Sequence, residues 1–388
     1  MNQLTLHPGR ERRVRDGHPW VFSNEIARFP ADLPPGTTVE IRSSRDTYIG
    51  SGYFNPHSLI AARILSRSGE DIDSPEFYRS RIERAAAHRR ALYGRLDGVR
   101  LVHGEADGLP GLVVDAYGEV LSVQFLSWGI DCRRELIVPV LEELFGPRAI
   151  VARNDVAVRT LEGLPEEIEV LSGQLPDEVL FREGDLTFRA ELTDGQKTGA
   201  FLDQKENHQA LRGRVEGGRV LDLFCYSGGW ALHAARFGAA SVTGIDISAG
   251  AVALATENAR RNGLDEVCRF EQGDVFERLR LQEEGYHTVI LDPPAFVKSR
   301  KKLPEALRGY LTVNRRAMER VLPGGFLVTC SCSHHLDRET FLGLLRQAAR
   351  LAGREARLVE LRGQAFDHPV LLSCPETEYL KCVILQLL

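Results

Sequence analysis

The sequence predicts an α/β protein: a doubly wound domain in its C-terminal half, a small β-domain at its start, and an α+β segment between. Three observations carry that prediction. From Gly217 onward strand-like and helical runs alternate: RVLDLFCYSGG, ALHAARFG, SVTGIDIS, AVALATENARRNG, VCRFEQGD, HTVILDPPAF, then GFLVTCSCS. That rhythm is the mark of a doubly wound sheet. From Leu4 to about Ser68 the segments are short and rich in β-branched and aromatic residues (TTVEIRS, TYIGSGYF), broken by PPG at 34–36 and NP at 55–56. Between the two, SPEFYRSRIERAAAHRRALYGRL has the composition of a helix.

Taken in order, residues 1–70 form the β-domain. They hold nine Arg and no Lys against seven Asp and Glu, a net of +2 within a chain of net charge -5. Five of those arginines fall in the first 30 residues. Residues 74–180 form the middle domain. Ser74 suits a helix N-cap and Pro75 the first helical position. GLVVDAYG, VLSVQFLS and AIVARNDV read as strands, with a helix around RRELIVPVLEELF. LTFRAELTDG reads as a hairpin strand pair leading into the last domain, 185–388.

Composition sets limits on function. The chain has 388 residues and 43% hydrophobic content, and no window approaches 18 uninterrupted apolar residues. No membrane partner is therefore expected. The start, MNQLTLHPGRERRVRDGHPW, is basic without an apolar run behind it, unlike a secretory signal. Seven scattered cysteines argue against a disulfide framework and for a reducing cytoplasm. With a net charge of -5, nucleic-acid binding would need a local basic surface.

In a doubly wound sheet, ligands bind outside the carboxyl ends of the strands. The first strand ends in LDLFCYSGGWALH (221–233), where Gly228 and Gly229 allow a tight turn and close approach to a ligand. It is neither G-x-G-x-x-G nor a phosphate loop with its Lys, which disfavours a dinucleotide or ATP. The second ends in GIDIS, placing Asp246 24 residues after Asp222, where a carboxylate can take both hydroxyls of a ribose. The third ends in QGD, where Asp274 could accept from an adenine amine. Each is weak alone, because strand-end carboxylates also cap helices. In sequence they describe a nucleoside pocket with no phosphate grip. The fourth strand ends in LDPPAF (291–296), a rigid segment presenting Asp292 and then Phe296 to a planar polar substrate.

Residues 329–335 read TCSCSHH. Cys330 and Cys332 could be a metal site, a redox pair, core filler or a nucleophile. With His334 they share one strand face and could take zinc, but structural zinc spacing is C-x₂₋₄-C with a second pair, and none is present. Positions two apart on a strand lie poorly for a disulfide. Periodicity does not choose between the two thiols, because both point the same way on a strand. His334 and His335 suit structural histidines better than bases. Cys132, Cys225, Cys268, Cys374 and Cys382 read as buried or incidental, Cys225 excepted for its strand-end position.

LDLFCYSGG, GIDIS, QGD, LDPPAF and TCSCS together resemble a class I S-adenosylmethionine-dependent methyltransferase. More narrowly, TDGQKTGAFLDQKENH (193–208), DPPAF, SCSHH and QAFDHPVLLSCPETEYLK (364–381) resemble the bacterial 23S rRNA 5-methylcytosine methyltransferases. GHPWVFSNEI (17–26) and GYFNPHSLIAARIL (52–65) resemble the PUA domain of that family. The resemblance implies a Rossmann-like methyltransferase domain preceded by a PUA-like RNA-binding domain and an α+β domain. It implies S-adenosylmethionine contacts at Phe201, Asp203, Gln204, Asp222, Cys225, Tyr226, Gly228, Asp246, Ser248 and Asp274, with Asp292 completing the set, and no metal. Its S-C-S pattern favours Cys332 as nucleophile, with Cys330 as a neighbour, and Asp292 to hold the base. The implied partner is 23S rRNA, free or in a large-subunit assembly intermediate, with a homodimer as an option. KSRKK (298–302), after LDPPAF, would contact phosphates. Two alternatives stand beside this: N-methylation of adenine or guanine in rRNA, and a ribosome-assembly factor that binds RNA without turnover.

Overall fold

A computed structural model describes residues 2–193, 195, 197–281, 285–296 and 303–388. They fall into two compact units: Met1–Arg182 with Ala190–Leu202 and Phe366–Thr377, and Glu183–Arg189 with Asp203–Ala365 and Glu378–Leu388.

The first unit holds two sheets. The six-stranded sheet runs in the order Trp20–Val21, Ala62–Ser66, Tyr48–Phe54, Thr37–Arg42, Asn2–Leu6, Ile26–Arg28. Its pairings are antiparallel except that of Asn2–Leu6 with Thr37–Arg42. Alternation in TTVEIR turns Val39 and Ile41 onto a core with Leu4, Leu6, Val21 and Phe54. The five-stranded sheet runs Ile168–Gly173, Ala149–Arg153, Val120–Phe125, Leu112–Tyr117, Val99–His103. Helix Pro75–Tyr93 begins as its sequence predicts: Ser74 accepts from the Phe77 amide, Pro75 follows, and Gly94 at φ 74° ends it. Its Phe77, Tyr78, Ile82 and Ala85 enter the core under the second sheet.

Residues 1–70 and 74–180 thus each own a sheet, yet they form one compact body. Glu162 accepts from Asn55 Nδ2 at 2.9 Å and Ser58 Oγ at 2.6 Å and pairs with Arg63 at 3.0 Å. All four side chains are buried, so the carboxylate's interactions are little screened by water. Tyr53 of the first sheet sits in the core of the second. Phe366–Thr377 completes this unit. Arg89, fully buried, donates to the Asp107 carboxylate at 2.7 and 2.8 Å and to the Asp367 carbonyl at 2.7 Å. The Asp367 carboxylate accepts from the Arg100 amide at 2.9 Å.

The expected hairpin has different partners. Leu186–Ala190 (LTFRA) pairs with the preceding Val179–Glu183, and residues 191–193 lie outside the strand.

The second unit is built on strands β1 (Arg219–Leu223), β2 (Ser241–Asp246), β3 (Cys268–Gln272), β4 (Tyr286–Leu291), β5 (Val321–Ser331), β6 (Ala356–Arg362) and β7 (Lys381–Leu387). The sheet order is β3-β2-β1-β4-β5-β7-β6. The five strands β1–β5 are parallel, as the doubly wound reading requires. β7 is antiparallel to both β5 and β6. No helix of crossover length separates β6 from β7, so the chain returns against its own direction. Helices α1 (Gly229–Arg236), α2 (Ala249–Arg261), α3 (Val275–Leu281), α4 (Leu303–Arg320) and α5 (Arg338–Leu351) belong to the unit, with a short helix, Lys205–Gln209, ahead of β1. One core joins Leu221, Val289, Leu291, Leu327 and Val383 of the sheet to Tyr310, Val313 and Phe341 of α4 and α5. No described helix is long and apolar enough to cross a membrane.

Candidate active site

The sheet brings the predicted motifs to one edge. β1, β2, β3, β4 and β5 all end there because they are parallel and in register: Leu223 pairs with Ile245 and Leu291, and Leu291 with Thr329. Asp292 follows β4 directly, and Cys330 and Ser331 close β5.

The turn after β1 is strained in a way that shapes a pocket. Phe224 and Tyr226 hold φ of 64° and 44°, which side chains with a Cβ rarely adopt, and Gly228 holds 83°. Such left-handed positions reverse the chain within five residues and free α1 to start at Gly229. Asp246 braces the turn: its Oδ2 accepts from the Tyr226 amide at 3.0 Å and its Oδ1 from the Ser248 amide at 2.9 Å. A Cβ on Gly244 would lie 2.5 Å from the Phe270 ring and 3.1 Å from Cys225 Sγ, so β2 needs glycine there.

Asp222 lies under the same turn, fully buried. Its Oδ2 accepts from the Ala231 amide at 3.1 Å, and its Oδ1 has no hydrogen-bond partner among the described residues. Burial, and then the nearby Asp292 charge, push its carboxyl up to about 8. At neutral pH it is largely a neutral acid. Ser248 and Asp274 serve as helix caps: Ser248 Oγ accepts from the Ala251 amide at 3.2 Å, and Asp274 Oδ1 from Phe276 and Glu277 amides at 2.8 and 3.0 Å.

Asp292 is half-buried and held from two sides. Trp230 Nε1 donates to its Oδ2 at 3.0 Å, and Gln204 Nε2 donates to the same oxygen at 2.9 Å. Gln204 is itself oriented by Asn207, whose Nδ2 donates to Gln204 Oε1 at 2.7 Å. Asp203, one residue earlier, accepts from the Tyr379 hydroxyl at 2.7 Å. Behind Trp230, His208 meets the indole edge-on with ring centres 4.7 Å apart. His208 is buried 2.6 Å from Glu183. Burial works to neutralise both, but the pairing wins: the His208 imidazole is raised and Glu183 falls to about 2.

The two cysteines separate. β5 ends at Ser331, so the strand alternation that would align Cys330 and Cys332 stops between them. Cys330 is fully buried and paired in register with Cys382. Burial, then Cys382, raise its thiol well above the usual range, so it is a poor thiolate. Cys332 is partly exposed in the loop beyond. The serines flanking Cys332 both meet one hydroxyl: Ser331 Oγ lies 3.0 Å and Ser333 Oγ 3.1 Å from Tyr310 OH. Phe296 packs on that tyrosine with ring centres 4.7 Å apart, nearer than to Phe224 or Phe276.

Of the predicted residues, Asp203, Gln204, Asp222, Cys225, Tyr226, Gly228, Asp246, Ser248, Asp274, Asp292, Cys330 and Cys332 belong to this unit, and Phe201 belongs to the first, with Lys197 Nζ 4.0 Å above its ring. KSRKK lies outside the described residues. Trp230, Asn207, Tyr310 and Lys381 are additions. The signal for Lys381 was a lysine heading the mostly apolar KCVILQLL. Among the described residues, metal-ligand groups converge in threes at His18, Cys374 and Glu376 and at Glu183, His208 and His233, apart from the two candidate thiols. Cys132, read as buried or incidental, is exposed.

Residues 4–67 match the PUA-like domain family, and residues 152–363 match the S-adenosylmethionine-dependent methyltransferase family. The ribosomal RNA large subunit methyltransferase I of Pseudoalteromonas atlantica is 40% identical over 393 aligned residues, covering 100% of both chains. That of Aeromonas hydrophila is 39% identical over 391, covering 99% of this chain and 98% of its own. A solved S-adenosylmethionine-dependent methyltransferase fold from Streptococcus mutans matches with a TM-score of 0.84 over 100% of both chains, at 21% identity. Fold and site therefore define the class, an S-adenosylmethionine-dependent methyltransferase. The chain belongs to the ribosomal RNA large subunit methyltransferase I family, with a PUA-like domain at 4–67.

The site's chemistry fits that cofactor. The turn LFCYSGG carries no cationic side chain, as suits a nucleoside without phosphates. Asp246 offers carboxylate oxygens at the end of β2, where a ribose diol is met in such sheets. Neutral Asp222 keeps a second anion out of the same turn.

Proposed function

We propose that this protein methylates carbon 5 of a cytosine in 23S rRNA, with Cys332 as a covalent nucleophile and Asp292 as the group that holds the base. In this reading Asp246 takes the cofactor ribose, the Phe224–Gly229 turn and Asp274 line the nucleoside site, and Asp203 and Gln204 border it. Residues 1–70 supply RNA affinity, 74–180 link them to the catalytic part, and 185–388 carry the chemistry. The named relatives act on large-subunit rRNA. The observation that carries the reading is the division of labour at the end of β5: Cys330 is sealed against Cys382, whereas Cys332 lies half-open in the loop beyond.

Carbon 5 of cytosine is not nucleophilic. When the Cys332 sulfur bonds to C6, the C5=C6 pair becomes available at C5. The bound cofactor supplies an electrophilic methyl on sulfonium. Asp292, whose Oδ2 accepts from Trp230 and Gln204, is suited as a carboxylate to accept from the 4-amino group and, once it carries a proton, to donate that proton to N3, so that negative charge entering the ring is met by a proton. Loss of the C5 proton and cleavage of the S–C6 bond then restore the aromatic ring and the thiolate.

RNA carrying 5-fluorocytidine at the target tests this, since fluorine cannot leave as a proton and the adduct persists. Wild type and Cys330→Ala should give a denaturation-resistant protein–RNA band, and Cys332→Ala none, with cofactor affinity unchanged. A band lost with Cys330→Ala but kept with Cys332→Ala reverses the assignment. Full methyl transfer by the double variant favours amino-group methylation instead, and cofactor binding without transfer to any rRNA favours an assembly role.

A further inference from the structure

We propose that Lys381 is the counter-cation of Cys332, a positioning residue whose ammonium keeps that sulfur as a thiolate before attack and receives its charge again on release. The inference rests on the reading of Cys332 as nucleophile, and it begins from a buried cation without a paired anion. Lys381 opens β7 in register with Ser331, the last residue of β5. Only 5% of it is exposed. A buried ammonium is costly unless its protons find acceptors. Lys381 Nζ donates to the carbonyls of Ser333 and Tyr379, both at 2.7 Å. Those carbonyls are neutral, and two bonds leave one of the three N–H donors uncommitted among the described residues. No described carboxylate approaches Nζ within ion-pair distance.

The Ser333 carbonyl fixes the ammonium to the backbone next to Cys332. Among the charged groups acting on Lys381, Cys332 is the strongest, ahead of Glu378 and Asp337, with Arg338 opposing. Burial brings the Lys381 ammonium down to about 8, as expected of a cation awaiting a partner. His334 feels the same ammonium: burial first, then Lys381 and His335, hold its imidazole low and therefore neutral. His334 thus adds no second positive charge at neutral pH. Among the described residues no cation acts comparably on Cys330, and burial, then Cys382, push its thiol up.

The step balances without another reactant. The Cys332 proton leaves to solvent and Lys381 stays protonated. The S–C6 bond forms with the sulfur electron pair, and when it breaks that pair returns to sulfur beside the ammonium. A cation there lowers the thiol pKa and improves the leaving group by the same interaction.

The experiment is alkylation of Cys332 by iodoacetamide from pH 5.5 to 9.5, read by mass spectrometry of its peptide in a Cys132→Ser background that removes the exposed thiol. In the otherwise native protein the rate should titrate at least one pH unit below the ordinary cysteine value of about 8.5. Lys381→Met, similar in length but uncharged, should move the midpoint up by at least one unit, and Lys381→Arg should bring it back down. A native midpoint at or above the ordinary value overturns the inference by itself, even where Lys381→Met fails to fold. An unchanged midpoint in folded Lys381→Met overturns it too. The 5-fluorocytidine adduct is scored separately. Adduct at Cys332 with an unmoved midpoint sinks the role of Lys381 and leaves the nucleophile standing, whereas a moved midpoint without adduct sinks the nucleophile and with it the catalytic role of Lys381, leaving only the ion pair.

Discussion

Replacing Asp222 with Asn should make the second unit more stable, by an amount that grows with pH. The folded protein holds the Asp222 carboxyl at about 8, against an ordinary value of 3.8. A raised folded pKa means that its contribution is fully present below about pH 4 and is lost as the pH rises towards 8. In that window the loss runs at about 1.4 kcal/mol per pH unit. Between pH 5 and pH 7 it amounts to roughly 3 kcal/mol. Asn keeps an acceptor for the Ala231 amide, places its NH₂ where the carboxyl proton would be, and does not titrate. The Asp222→Asn transition should therefore separate from that of wild type by roughly 6–12 °C more at pH 7 than at pH 5, using the melting shift usual for a unit of this size. Calorimetric melts of both proteins at pH 5, 6, 7 and 8, without cofactor, would show it. Other titrating groups are common to both and largely cancel. Parallel curves across that range would mean that Asp222 is already ionised in the fold, and the account of the turn after β1 would be wrong.

Asp246→Ala should weaken S-adenosylmethionine binding by about 1.5–3 kcal/mol, the scale of a hydrogen bond to a charged group. Calorimetry giving equal affinity in a folded variant would remove Asp246 from the site. Arg10, Arg12, Arg15 and Arg28 are all exposed on the PUA-like domain. Changing them together to Ala should lower rRNA affinity and flatten its salt dependence while leaving cofactor affinity unchanged. Identical salt slopes would place the RNA-binding surface elsewhere.

Much of this was legible because local signals agreed with the global pattern. Ser74-Pro75 opened its helix, the strand-to-helix rhythm after Gly217 became the parallel sheet, and LDPPAF fell at a strand end where the chemistry was sought. What stayed hidden depends on contacts between residues far apart in sequence. Nothing in EVLFREGDLTFRA says that Glu183 will be sealed against His208, or that Trp230 will turn its N–H to Asp292. The choice between Cys330 and Cys332 was undecidable from alternation because alternation holds only within a strand, and β5 stops at Ser331. Asp274 could be read as a cofactor contact or a helix cap, and it does cap a helix, as does Ser248, for which the sequence offered only the cofactor reading.

The stretch Phe366–Thr377 has a consequence for how the chain comes to be folded during synthesis. Its Asp367 supplies the carbonyl that buried Arg89 needs and the carboxylate that binds the Arg100 amide, and Ser373 Oγ donates to the Gly17 carbonyl. All of these partners lie in the segment translated first, yet residues 203–365 of the other unit must emerge before they can be met. A nascent chain reaching only to Arg182 holds both sheets of the first unit but leaves the Arg89 guanidinium one acceptor short. That unit can therefore complete these particular bonds only after the whole methyltransferase sheet except β7 has been synthesised. The first-made part thus waits longest for its last hydrogen bonds, and a protease acting on the growing chain would find it less tightly closed than the finished protein.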